Sequence, residues 1–230
     1  MERMSTTATI ILAAGAGRRL GGRSKALLRL PEGEMLGIRA VRCALAAETV
    51  PVLVLGYEAE DTERTLREAG PELMEQTLVL HAEDWEVGLS ASFRAGVGAA
   101  RDAGLSRCAV LLVDQPGIGE QALAAVLAEH EPGRITRGAV EFRPSHPVVL
   151  EMPDALAAAE TAAGDEGARA YLREHAVRVD PVDITDLAED ADLDTPEDLA
   201  RWERISCPRA RAVSSASWSR GSAPPQSPAR

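Results

Sequence analysis

The sequence predicts an α/β fold built on a mostly parallel sheet. Three observations carry that expectation. Short apolar runs rich in β-branched residues recur at Ala8–Ala13, Val50–Leu55, Thr77–His81 and Cys108–Val113. Longer stretches of helical period separate them. The first run opens directly into a glycine-rich loop. Apolar runs of strand length that do not alternate read as strands buried on both faces. Alternation of strand and helix implies right-handed crossovers within one sheet.

Each element has its own signal. Between Glu34 and Glu48, Leu36, Ala40, Val41, Ala44 and Leu45 form one helical stripe. Glu58–Ala69 is a polar amphipathic helix, and Gly70-Pro71 reads as its stop. Gly88–Ala103 and Gly119–His130 are the next two helices. After Pro132 the rhythm changes. Arg134–Phe142 and Pro147–Glu151 read as strands split by Arg143–Pro147. Two short helices follow within 153–175, around Gly164 to Gly167. Ala176–Val182 reads as a strand, and Asp183–Asp194 is an acidic stretch. Pro196–Arg204 is the last helix, with Thr195 as its N-cap and Pro196 at its first position.

Composition bounds the function. The chain of 230 residues suits one large domain with a small appendage. Hydrophobic residues are 45% and aromatics 3%, so the core must be aliphatic and alanine-rich. A net charge of −11 argues against a nucleic-acid footprint. Cys43, Cys108 and Cys207 lack metal-ligand spacing, and the first two read as buried thiols. No apolar run of membrane length and no signal peptide is evident, so a cytoplasmic location without membrane contact is expected. Residues 205–230 differ in kind: they are rich in Ser and Pro, with four Arg and no acid. They read as a disordered basic tail appended to a domain of residues 1–204.

Chemistry concentrates in two places. Gly15, Gly17, Gly21 and Gly22 are interleaved with Arg18, Arg19, Arg23 and Lys25. Glycine allows tight turns and close approach of backbone N–H groups to a ligand. So many cations in so short a stretch call for an anion, and the physical reading is a phosphate-binding loop after the first strand. A solvated basic joint between strand and helix is the plain alternative. A dinucleotide fingerprint would carry fewer cations, and a P-loop would need Lys before Ser/Thr, whereas Lys25 follows Ser24. The second place is Asp114, at the end of a strongly apolar strand. Ligands of open parallel sheets bind outside the carboxyl ends of strands. A carboxylate there can share Mg²⁺ with a bound phosphate, or can serve as a helix cap or an arginine partner.

Six segments then fall in one order: Leu12 to Gly21 with Lys25, Gly88 to Ser92, Val113 to Pro116, His146 to Val148, Gly164 to Arg169, and Leu193 to Leu199. Together they resemble the MobA-like nucleotidyltransferases, most closely the molybdenum-cofactor cytidylyltransferase branch, over residues 8–204. The resemblance implies a three-layer α/β/α sandwich with a Rossmann-like sheet. It implies Mg²⁺-dependent transfer of CMP from CTP to a phosphorylated acceptor of molybdopterin type, with pyrophosphate released. A molybdoenzyme that receives the product would be the protein partner. Leu12, Ala13, Ala14, Gly15, Ala16 and Gly17 would bind nucleotide, together with Gly88, Ser90 and Ser92 near the base. Arg19, Lys25 and Asp114 would be catalytic, and Asp114 and Asp194 would hold the metal. His146, Asp165 and Arg169 would face the acceptor. The sequence departs from the family pattern at Ser145, where the family has Gly, and at Glu83-Asp84 before Trp85. His146, between Pro144 and Pro147, fits a structural hydrogen bond as well as a substrate contact, and Arg169 fits a helix cap. The competing readings are a nucleotidyltransferase for an isoprenoid or sugar phosphate, a dinucleotide-dependent oxidoreductase, and a non-catalytic cofactor-binding module.

Overall fold

A computed structural model describes residues 6–206. The expected tail therefore lies outside the described residues, apart from Ile205 and Ser206, which close the last helix. Its third cysteine, Cys207, lies outside them too.

The first half of the chain runs β1 (Thr7–Ala13), α1 (Leu36–Ala46), β2 (Val50–Leu55), α2 (Ala59–Ala69), α3 (Pro71–Glu75), β3 (Leu78–His81), α4 (Leu89–Asp102), β4 (Arg107–Leu112) and α5 (Glu120–Ala128). The second half runs β5 (Ile135–Val140), β6 (Arg143–Glu151), α6 (Met152–Thr161), α7 (Arg169–Glu174), β7 (Val179–Asp183) and α8 (Pro196–Ser206). The strands form one sheet in the order β3-β2-β1-β4-β6-β5-β7. All pairings are parallel except those of β6, which runs antiparallel to both β4 and β5.

The core explains the apolar runs. β1 is buried along its whole length, as expected of a central strand covered on both faces. Ile10 and Leu12 pack with Phe93 and Val97 of α4 and Ala155 and Ala158 of α6. Ile11 and Ala13 face the other way, toward Leu36 and Val41 of α1 and Leu66 of α2. Three layers follow from this alternation, and the core is aliphatic, with Phe93 its largest fully buried side chain. Cys43 and Cys108 are buried, and burial pushes the Cys108 thiol up to about 12.

Gly70-Pro71 ends α2 as expected, with Gly70 as its C-cap, and Pro71 opens the short helix α3 at its first position. A proline there forfeits only an N–H that has no helical partner anyway. One expectation is corrected: Arg143–Pro147 does not separate two strands; it belongs to β6. The break lies earlier, at Glu141 and Phe142, both at positive φ in the hairpin turn. The register passes from Arg137↔Val148 to Ala139↔Pro144, so Ser145, His146 and Pro147 bulge opposite Gly138 alone. Pro147 cannot donate to a ladder and is tolerated in such a bulge. A Cβ on Gly138 would lie 2.6 Å from the His146 carbonyl oxygen, so the close approach is made from β5 and Ser145 is accommodated.

Candidate active site

The order of strands reverses direction at β1, which has β2 on one side and β4 on the other. Such a switch point opens a crevice at the carboxyl ends of the strands. A cavity of about 570 Å³ lies there. Its wall includes Leu12, Ala13, Ala14, Gly15, Ala16 and Lys25 from the first loop, with Asp114 from the segment after β4.

Of the loop glycines, Gly17 is the one where a side chain would clash. Gly17 has φ 50, and a Cβ there would lie 2.4 Å from the carbonyl oxygen of Arg23. Gly17 O accepts from the N–H groups of Leu20 and Gly22, closing the turn. Gly15, by contrast, has open space where its Cβ would be. The Ala14 side chain packs at the cavity wall near Gly56: a Cβ on Gly56 would meet it at 2.7 Å and Trp85 at 2.5 Å. Trp85 in turn meets Tyr57 edge-on, with centroids 5.7 Å apart.

The charges converge. Lys25 Nζ donates to Asp114 Oδ2 and to Asp194 Oδ1, each at 2.5 Å. Asp114 follows β4, and Asp194 lies in the segment leading into α8. The Lys25 and Asp114 side chains are mostly buried, so solvent screens the pair weakly. Burial alone would push the Lys25 pKa down, but the two carboxylates outweigh it and raise it. Asp194 is placed by a capping box. Asp198 accepts from the N–H groups of Asp194 and Thr195, while the Asp198 N–H donates to Thr195 Oγ1. Thr195 is thus the N-cap that the sequence predicts. Arg19 is well exposed and lies 3.6 Å from Asp194 Oδ2. Arg18, the neighbouring cation of the same loop, lines the cavity instead.

The residues expected around the base divide. Gly88 has φ 119, and a Cβ there would lie 2.6 Å from Asp165 Oδ1. Ser92 lines the cavity. Ser90 does not: it is wholly buried, and its hydroxyl has no partner among the described residues. Asp165, expected to face the acceptor, lies in the wall of the cavity beside the glycine loop, where Oδ1 accepts from the Leu89 N–H at the start of α4. His146 and Arg169 meet in a separate small cavity beyond Leu12 and Leu89. His146 Nδ1 is 3.1 Å from Gln115 Oε1, and Gln115 Nε2 donates to Asp192 Oδ1 at 2.8 Å. His146 is held neutral: burial, then the charges of Arg137 and Arg169, push its pKa down to about 3. Burial and the nearby Asp114 and Asp194 raise the pKa of Asp192, against the pull of the Gln115 hydrogen bond.

The sequence reading gave no site role to Trp85, Gln115, Arg137 or Asp192. Gln115 lies inside the marked segment Val113 to Pro116, and Asp192 adjoins the segment Leu193 to Leu199. Arg137 carries no local signal, because it sits inside a strand and its neighbours arrive from α7 and β6.

Comparison with known proteins places this geometry. A model of the MobA-like NTP transferase domain matches residues 9–179. Nicotine blue oxidoreductase of Paenarthrobacter nicotinovorans is 33% identical over 199 residues, covering 84% of this chain and 94% of that protein. A nucleotidyl transferase from Methanothermobacter thermautotroptrophicus superposes with a TM-score of 0.70 at 20% identity, covering 89% of this chain and 98% of that one. A manganese complex of Rv0371c from Mycobacterium tuberculosis superposes with a TM-score of 0.64 at 21% identity, covering 87% and 99%.

Proposed function

Because the chain belongs to the MobA-like NTP transferase family, we propose that it transfers CMP from CTP to a phosphate of a small acceptor of molybdopterin type, releasing pyrophosphate. One observation carries the reading. Two carboxylates from distant parts of the chain, Asp114 and Asp194, meet one ammonium, Lys25, beside the glycine loop. In the reaction an acceptor phosphate oxygen forms a bond to the α-phosphorus, the bond from that phosphorus to the β-phosphate bridging oxygen breaks, and pyrophosphate carries the electrons away. Little is asked of the protein beyond positioning and stabilising negative charge. The amides of Ala14 to Gly17 would cradle phosphates, with Arg18 and Arg19 at the mouth. Lys25 would neutralise the charge that grows on the leaving group.

The residues fit Mg²⁺. Magnesium is usually held by one or two carboxylates plus substrate phosphates rather than by an all-protein cage. Asp114 and Asp194 supply such a pair, they already hold a cation between them, and no larger cluster of acidic, His or Cys ligands exists among the described residues. Bound there, the ion would supply charge neutralisation of the phosphates. The manganese complex of a fold neighbour is in keeping with a divalent ion.

CTP is favoured over GTP by Ala14. Its methyl group takes space at the cavity wall that a purine ring would need, and a misfit of that size is worth about 10- to 200-fold. A dinucleotide-dependent oxidoreductase is the second reading, favoured by the relative named nicotine blue oxidoreductase. The deciding experiment titrates the protein with CTP, GTP and a reduced nicotinamide dinucleotide at equal Mg²⁺, then measures pyrophosphate release with molybdopterin. Tighter GTP binding overturns the base assignment. CTP binding without pyrophosphate release moves the acceptor to another phosphorylated metabolite. Dinucleotide binding with oxidation and no pyrophosphate selects the second reading.

A further inference from the structure

A second large cavity, of about 600 Å³, opens between β5, β7 and α7. Its walls are mixed in character. Pro144, Leu172, Val179 and Pro181 supply apolar surface, and Phe142, at the tip of the β5–β6 hairpin, stands 97% exposed at its rim. Arg137 and Arg169 supply charge.

The state of those two arginines is informative. Neighbouring arginines of the same region are neutralised. Arg134 pairs with Asp180, Arg178 with Asp154, and Arg173 with Glu166. Arg137 spends only its Nε–H, on the Ser145 carbonyl at 3.0 Å, and its other N–H groups have no partner among the described residues. The Arg169 guanidinium has neither a hydrogen bond nor an ion pair among them. Arg137 is half-buried, and burial together with the Arg169 charge works against its cation. Two like charges held close, one of them partly desolvated, cost free energy unless an anion joins them. Arg137 cannot relieve that cost by losing its proton, since a guanidinium stays charged.

The position is equally informative. A small cavity of about 40 Å³ shares Arg137 and Arg169 with this second cavity, and shares Leu12, Leu89 and Leu112 with the nucleotide-side cavity. The small cavity thus has the two arginines in its wall together with residues that also line the cavity beside the glycine loop. We infer that Arg137 and Arg169 form an oxyanion subsite that clasps a phosphate of the second substrate, whose ring lies with a face against the apolar surface of Pro144, Leu172 and Val179. Bidentate forks suit this task because they fix the orientation of a phosphate as well as its charge. The inference rests on the transfer reading only for calling the bound molecule the acceptor.

The test uses calorimetric titration of the full chain with phenyl phosphate, and with phenol as the same ring without the charge. Phenyl phosphate binds the wild type, and phenol does not. Arg137→Gln and Arg169→Gln each weaken phenyl phosphate by about tenfold or more, the scale of one charge-assisted hydrogen bond. Arg137→Lys, which keeps charge but loses the fork, falls between. All three variants keep the wild-type melting temperature and CTP affinity, and saturating CTP does not displace phenyl phosphate. Undiminished binding in both Gln variants, displacement by CTP, or no binding to the wild type overturns the subsite. If binding depends on both arginines while no phosphorylated acceptor yields pyrophosphate, the subsite stands and the transfer reading falls.

Discussion

Lys25 and Asp114, 89 residues apart in sequence, are joined by a hydrogen bond of 2.5 Å between a mostly buried ammonium and a mostly buried carboxylate. The bond ties the loop after β1 to the segment after β4. Asp114→Asn keeps the shape of the side chain and leaves Lys25 its second partner, Asp194. The fold is expected to survive, with turnover lower by about 10²–10³, the scale of losing one electrostatic stabiliser. Asp194→Asn is expected to act in the same direction less severely. Near-normal rates in both variants, with Mg²⁺ present, would remove these residues from the reaction.

Lys25→Met tests the same contact from the other side. It leaves two carboxylates facing each other without the ammonium that joins them, with only the exposed Arg19 near Asp194, at a cost of about 1–3 kcal/mol. The sign with pH follows from the raised pKa of Lys25. Its contribution is fully present below the unfolded value near about 10.4 and is lost as pH rises through the higher folded value. The difference in melting temperature between Lys25→Met and wild type should therefore be steady from neutral pH to about pH 9, and added Mg²⁺ should narrow it. A variant as stable as wild type without the metal ion would contradict this.

Gly15 and Gly17 should respond differently to alanine. At Gly17 the backbone lies in the left-handed region and the new Cβ meets a carbonyl oxygen. Gly17→Ala is expected to lose about 1–3 kcal/mol of stability, visible in chemical denaturation. Gly15→Ala has room in the absence of ligand and should keep its stability, but its methyl group enters the cavity wall and should weaken nucleotide binding. Equal stability losses in the two variants would mean that the loop is not built as described.

His146 should shape acid stability. Its folded pKa, about 3, lies below the unfolded value near about 6.5. The unfolded chain therefore binds the proton first, and stability from this group falls as pH drops from about 6.5 toward 3. His146→Gln should give a shallower decline in melting temperature over that range. For the same reason no step between pH 6 and 8 in a rate profile should be traceable to His146.

We propose that residues 207–230, which lie outside the described residues and are rich in Ser, Pro and Arg, can be removed with melting temperature and nucleotide affinity unchanged. A marked drop in melting temperature would show that the segment docks on the domain.

The sequence made the buried half of the sheet legible. β2 falls on the six residues read from its apolar run, Val50–Leu55, because a strand covered on both faces has no alternating pattern to misread. The glycine loop and Asp114 were legible because strand ends are marked locally. The β6 bulge was not. Pro144 and Pro147 argue against a regular strand, and only the pairing with β5 shows that they belong to an irregular one. The convergence of Asp114 and Asp194 on Lys25 is likewise a property of the folded chain, since no local pattern links segments so far apart. Ser90 was expected near the base from the family resemblance alone; the packing of α4 turns it inward.

The late return of the chain to its first loop has a consequence for inheritance. The glycine loop and the first four strands are encoded in one continuous stretch, and the basic cavity beside β5, β7 and α7 in the stretch that follows. A lineage could rework the second stretch for a new partner molecule while leaving the first intact. Asp194 is the exception. It is encoded after the second stretch yet completes the charge cluster of the first one, so any replacement of the intervening segment must deliver Asp194 back to Lys25. The distance between those two residues thus acts as a filter on which exchanged segments leave a working protein.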